Sequence, residues 1–120
     1  MPWQVEVTDE FTTWYHGLQP QQQDRINAAV DELVERGPNL GRPWVDTLGG
    51  LKPRNLKELR IHQDGHLRIL FVFDPRRTAI LLLGGDKTGQ WTEWYRWAIP
   101  EAERLYGMYL DELRREGLSE

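Results

Sequence analysis

Cysteine is absent from all 120 residues, histidine occurs three times and methionine twice, and no stretch approaches the roughly 20 apolar residues that cross a bilayer. The first absence excludes a disulfide framework, a thiolate nucleophile and a cysteine-ligated metal site, and makes a reducing cytoplasm the simplest compartment. His16 lies far along the chain from His62 and His66, and no ligand spacing joins them, so no metal site is expected. The opening MPWQVEVTDEF has neither a basic cluster nor an apolar run, and the protein is expected to be soluble and unexported.

What remains is enough for one core. Six Trp, four Tyr and three Phe supply large apolar side chains, and a length of 120 residues fits a single domain over 1–120. The net charge of −4 disfavours a nucleic-acid partner at first sight, but the charge is segregated. Residues 1–50 carry three Arg against eight acids and residues 90–120 four Arg against seven, whereas residues 51–89 carry eight Lys and Arg against four acids. Solvated helix faces account for the acidic ends, since helices favour Glu on propensity alone. The alternative reading of the same segregation is a basic sheet face that receives an anionic ligand.

Local patterns give the order of elements. Residues 3–7 alternate, with Trp3, Val5 and Val7 on one side, as in a half-buried strand. Thr8 and Asp9 offer a cap for a short helix over 10–18, and Pro20 opens a second helix with an apolar stripe of Ile26, Ala29, Val30, Leu33 and Val34. Gly37 and Pro38 end that helix. Residues 39–55, rich in Gly and Pro, read as a long ordered loop. Three strands follow, over 56–62, 67–73 and 78–83, with turns at Gln63, Asp64 and Gly65 and at Asp74 to Arg77. The last is apolar throughout, as in a strand covered on both faces. Residues 91–117 read as helix, with a kink or a fresh start expected at Pro100.

The segments ELRIHQDGHLRILFVFD (58–74), AILLLGGDKTGQWTEWY (79–95) and AIPEAERLYGMYLDEL (98–113), in this order of elements, resemble the RelE/ParE superfamily of bacterial type II toxins. More narrowly they resemble its HigB-like, phage-derived branch. The C-terminal half carries the resemblance in sequence and the N-terminal half in element order. It implies an α+β RelE-like fold: an antiparallel sheet built from the N-terminal strand and a three-stranded meander, with two helices between them and a C-terminal helix. It also implies a cytoplasmic toxin held by a cognate antitoxin, commonly a helix-turn-helix protein, and an activity that cleaves messenger RNA on the ribosome without a cofactor. ParE-like toxins use the same fold to inhibit DNA gyrase without catalysis, and a degenerate toxin that only binds its antitoxin is a third alternative.

Metal-free RNA cleavage needs a base for the 2′-hydroxyl, cations for the phosphate and an acid for the leaving oxygen. The resemblance places Arg68 at the superfamily's strand arginine, and its forked guanidinium suits a phosphate. Arg60 is a second candidate phosphate contact. Glu58, on the same strand face, is either a general base or the group that orients Arg60. Lys87 follows the last strand, where the superfamily carries a basic catalytic or RNA-contacting residue. Trp94 and Tyr95, with Trp91, are candidates for stacking on a base, and Lys52, Arg54 and Lys57 for phosphate contact. Each has a plain structural reading beside it: intramolecular ion pairs for the charges, core packing for the aromatics. Many messenger-cleaving relatives carry two lysines where this chain has Leu56 and Glu58.

Overall fold

Thr8 turns the chain from strand to helix: its Oγ1 accepts the N–H of Phe11 at 3.0 Å and donates to the carbonyl of Leu82 at 2.7 Å. One side chain thus caps a helix and fixes it to the sheet. The computed structural model describes residues 2–48, 56–61, 66–86 and 91–117. Strand β1 (Gln4–Val7) leads through this cap into α1 (Asp9–His16) and then α2 (Pro20–Arg36), which ends at Gly37 with φ of 55°. A 3-10 turn at Gly37–Asn39 leads to β2 (Val45–Thr47), and β3 (Lys57–Arg60), β4 (Leu67–Asp74), β5 (Thr78–Asp86) and α3 (Trp91–Arg115) complete the order.

The strands form one sheet in the order β1-β5-β4-β3-β2. On one face α1 and α2 bury Phe11, Ile26, Ala29 and Leu33 against Leu59, Ile69, Phe71 and Leu81. On the other, α3 buries Trp94, Ala98, Ala102 and Leu105 against Leu70, Val72, Ile80 and Leu82. Covered on both sides, β4 and β5 read as nearly continuous apolar runs, and each fully buried Leu, Ile or Phe contributes roughly 1.5–3 kcal/mol.

Four expectations need correcting. The sheet is mixed, not wholly antiparallel: β1 pairs in parallel with β5, Val5 beside Ala79 and Val7 beside Leu81. The region read as loop contains β2, paired antiparallel with β3, and three residues are too few to display an alternation. The last strand continues beyond Leu83 through Gly84 and Gly85 to Asp86. Finally, of the kink or fresh start expected at Pro100, the fresh start is excluded: α3 runs through the proline as one helix, its apolar stripe continuing on both sides.

A register shift at Leu70/Phe71 decides which way the end of β5 faces. Leu70 pairs with Leu83 and Phe71 with Leu81, so Leu82 is extra, and both Leu82 and Leu83 face α3. Beyond this bulge the alternation is inverted. Gly84 therefore abuts Trp14 of α1, and Gly85, which pairs with Arg68, abuts Trp94 of α3. A Cβ on Gly85 would lie 2.0 Å from the Trp94 Nε1, and one on Gly84 would lie 2.2 Å from Trp14 ring carbons. These glycines exist to seat two indoles.

The β4–β5 turn is fastened separately. Asp74 is buried and accepts from the backbone N–H of Arg76 at 2.6 Å and from its Nε at 2.9 Å. The Arg76 guanidinium also reaches the Tyr109 hydroxyl, which donates in turn to Glu6, tying turn, α3 and β1 together. Arg77 holds φ of 61°, with its guanidinium 4.9 Å from the centroid of the Trp3 ring.

Candidate functional site

The β3–β4 register sets Arg60 directly opposite Arg68, and the β2–β3 register sets Asp46 directly opposite Glu58. Like charges facing each other across strands are destabilising, so neither pair stands alone. The four residues resolve this as a checkerboard. Glu58 Oε1 lies 3.3 Å from Arg60 Nε and 3.6 Å from Arg68 Nε, and Asp46 Oδ2 accepts from Arg60 Nη2 at 2.9 Å. Arg42 adds a third guanidinium, 3.2 Å from Asp46 Oδ1. Three arginines against two carboxylates leave one positive charge in excess.

Burial grades this cluster from floor to rim. The Glu58 side chain is 3% exposed, that of Arg68 11% and that of Arg60 38%. Arg68 Nη1 also donates to its neighbour's carbonyl, Leu67 O, at 2.9 Å, which turns the guanidinium along the sheet. Tyr95, from the start of α3, donates its hydroxyl to Glu58 Oε2. Burial first, then donation to Glu58, holds the Tyr95 hydroxyl protonated well above the ordinary tyrosine range. Glu58 thus receives Arg60 and Arg68 on one oxygen and Tyr95 on the other. It is a buried anionic pivot that fixes two cations and a helix.

Sequence reasoning named Glu58, Arg60, Arg68 and Tyr95, and the fold brings these four together. It gives Tyr95 a different contact from the base stacking expected of it. Trp94 is buried on Gly85, edge-on to Tyr95 at 5.0 Å between ring centroids, and this core position offers no open face for stacking. Lys57 donates to Thr47 Oγ1 at 3.1 Å, and strand alternation puts it on the sheet face away from Glu58. Lys52, Arg54 and Lys87 lie outside the described residues, as does His62. Asp46 and Arg42 were not anticipated. Their only signal is an acid flanked by Val45 and Thr47 in a stretch that reads as loop.

A family model described as Phage derived protein Gp49-like (DUF891) matches residues 13–107. Two Mycobacterium tuberculosis proteins are similar over most of the chain. "Putative toxin HigB2" is 41% identical over 110 residues, covering 90% of this chain and 54% of its own length, so the chain spans about half of that relative. "Putative toxin HigB3" is 46% identical over 100 residues, covering 83% of this chain and 87% of its own. Among solved structures, the RelE-RelB complex of Pyrococcus horikoshii matches with a TM-score of 0.60 at 18% identity, covering 74% of this chain and 99% of the matched chain. A mutant of the E. coli toxin RelE in the free state matches with a TM-score of 0.63 at 13% identity, covering 83% and 97%. At these identities the structural matches establish the fold.

Proposed function

The chain belongs to the phage-derived Gp49-like family, in the HigB-like branch of the RelE superfamily, and from that premise we propose that it is the toxin of a toxin-antitoxin pair that cleaves messenger RNA on the ribosome. It works in the cytoplasm, restrained by an antitoxin of the helix-turn-helix kind. The observation that carries the nuclease reading is the cationic excess of the checkerboard, with Arg60 at its exposed rim and Arg68 braced beneath.

In this reading the 2′-hydroxyl loses its proton as its oxygen attacks the adjacent phosphorus, the bond to the 5′-oxygen breaks as that oxygen takes up a proton in return, and a 2′,3′-cyclic phosphate and a free 5′-hydroxyl form. Negative charge grows on the non-bridging oxygens as the reaction proceeds. Arg60 and Arg68 stabilise it, and because Glu58 already holds them in place, no reorganisation is needed at that moment. Glu58 is the brace and not the base: Oε1 faces both arginines, Oε2 takes the Tyr95 hydroxyl, and its 3% exposure leaves little room for a substrate hydroxyl. Lys87, the next residue in sequence after Asp86, is the position at which the superfamily carries a further basic residue, and it is proposed for the same role. The family's chemistry needs no metal or cofactor.

Controlled expression with mapping of RNA 5′ ends tests this. The parent is expected to arrest growth and to generate new ends within translated messages, and Arg68→Ala at equal protein level is expected to do neither. Arrest with intact messenger and induced DNA damage would replace the nuclease with a gyrase inhibitor. No arrest at all would leave a module that only binds its antitoxin.

A further inference from the structure

Glu58 and Asp46 balance Arg60 and Arg68, so the positive charge left over in the cluster is that of Arg42. Its side chain is 77% exposed, the most open of the three arginines. Asp46 has partners enough without it: Oδ2 accepts from Arg60 Nη2 at 2.9 Å, and Oδ1 accepts the Thr47 N–H at 3.1 Å. Among the described residues Asp46 is the partner of Arg42, reached through Nη2 alone, at 3.2 Å from Oδ1 and 3.4 Å from Oδ2. An ion pair this exposed contributes little to folding.

The backbone nevertheless sets where Arg42 stands. The N–H groups of Trp44 and Val45 donate to Gly41 O at 3.0 and 3.1 Å, closing a turn around Arg42 and Pro43. The Arg60 N–H donates to Trp44 O at 2.7 Å, so the turn hangs from the residue whose guanidinium holds Asp46. Asp46 therefore bridges two guanidiniums at the rim, Arg60 on one side and Arg42 on the other. The second carboxylate of the cluster is already committed, since Glu58 takes Arg60 and Arg68 on one oxygen and Tyr95 on the other. Lys57, the nearest described lysine in sequence, is turned to the opposite sheet face and donates to Thr47 Oγ1.

We propose that Arg42 binds the messenger phosphate next to the scissile one, as a binding residue that takes no part in the bond changes. A single RNA strand carries one phosphate per nucleotide, and a forked guanidinium matches two oxygens of each. With the scissile phosphate at Arg60 and Arg68, the strand leaves the cluster over its exposed rim, where Arg42 is the next cation. Asp46 is the positioning residue. It holds both forks, and its own charge repels a phosphate from the gap between them, so each arginine takes a phosphate of its own. The inference rests on the nuclease reading and adds to it a second, non-reacting phosphate.

Binding of the full-length protein to programmed ribosomes tests it, with a message made uncleavable by 2′-deoxy substitution at the attacking nucleotide. A neutral methylphosphonate is placed on one side of the scissile linkage or on the other. At one of the two places it is expected to weaken binding of the parent about fivefold, the scale of one exposed charge pair. Arg42→Ala is expected to lose the same factor on the unmodified message, with circular dichroism unchanged, and to lose nothing further at that methylphosphonate. Arg42→Lys is expected to recover most of the loss. On the cleavable message Arg42→Ala is expected to raise the half-saturating concentration and leave the maximal single-turnover rate unchanged, as loss of uniform binding does. Parental binding by Arg42→Ala overturns the proposal. So does a methylphosphonate penalty equal in variant and parent, which gives the contact to ribosomal RNA, and so does a lowered maximal rate with unchanged binding, which puts Arg42 in the chemistry. If the parent leaves the cleavable message intact, the nuclease reading falls and the binding comparison still decides the role of Arg42. A parent that does not bind the ribosomes overturns both.

Discussion

The Tyr95 hydroxyl donates to Oε2 of Glu58, so the start of α3 is fastened to β3 through a carboxylate whose side chain is 3% exposed. Removing the hydroxyl leaves that oxygen without its donor in a nearly dry position. Tyr95→Phe is therefore expected to cost about 1.5–3 kcal/mol, the range for hydrogen bonds to charged groups. At this chain length that lowers the melting temperature by roughly 4 °C for each kcal/mol. Thermal unfolding followed by circular dichroism checks it, and a variant as stable as the parent would show that the contact contributes nothing.

The same contact makes stability sensitive to alkali. Burial, then donation to Glu58, raises the Tyr95 pKa, and burial, then donation to Glu6, raises that of Tyr109. A pKa raised on folding contributes stability that is fully present below the unfolded value, 10.0 for tyrosine, and is lost as pH rises through the folded one. Denaturant midpoints are expected to stay level on this account up to about pH 10 and then fall. The double variant Tyr95→Phe, Tyr109→Phe is expected to begin lower and to lose most of that alkaline slope. An equally steep decline in the variant would assign the slope to other groups.

Arg60 and Arg68 are both arginines at one site, but their burial separates their roles. Arg68→Ala leaves Glu58 with one ion-pair partner fewer in a buried position and is expected to cost stability as well as cleavage. Breaking a buried pair from one side costs about 3–5 kcal/mol, and the partial exposure here points to the low end. Arg60, with 38% of its side chain exposed, is expected to unfold more nearly like the parent when replaced by alanine while losing about a hundredfold in cleavage rate, the scale for one donor to a developing oxyanion. Arg68→Lys keeps charge but not the fork, and is expected to recover stability more than rate. Single-turnover cleavage on programmed ribosomes, beside urea melts, checks all three. An Arg60→Ala variant with parental cleavage would remove the rim arginine from the site.

The sequence was most informative where a pattern was long. The period-2 face carrying Leu67, Ile69, Phe71 and Phe73 placed β4, the stripe from Ile26 to Val34 placed α2, and Thr8 announced its own cap. Glu58, Arg60 and Arg68 were visible as charges interrupting apolar strands, since a charge there must have a partner. Their partners were not visible. Asp46 meets Arg60 only because a three-residue strand pairs across 14 positions, and Tyr95 meets Glu58 across 37. Trp94 and Tyr95 are adjacent aromatics at helical spacing, and nothing local to them tells which one enters the core and which one turns to a carboxylate. The parallel pairing of β1 is likewise a matter of crossover geometry, not of residue type.

Gly85 joins the bulge to the site. Leu82 is the extra residue in β5, and without it Gly85 would face α1 and α2 and a different residue would lie beneath Trp94, opposite Arg68. Because the glycine has no side chain, Trp94 packs directly on the strand, which sets the depth of α3 and so the reach of Tyr95 to Glu58. A methyl group at position 85 would begin 2.0 Å from the indole nitrogen, too close for contact, so Trp94 must shift to admit it. Gly85→Ala is expected to destabilise by about 1–3 kcal/mol, the usual range for overpacking. It should also loosen the Tyr95 contact and so disturb the arginine cluster indirectly. Gly84→Ala meets Trp14 at a similar 2.2 Å but on the opposite sheet face, so it serves as the control. Both variants are expected to lose stability, and only Gly85→Ala to lower the raised Tyr95 pKa, read from tyrosinate absorbance on titration. If the two variants shifted that titration equally, α3 would not be seated through Gly85.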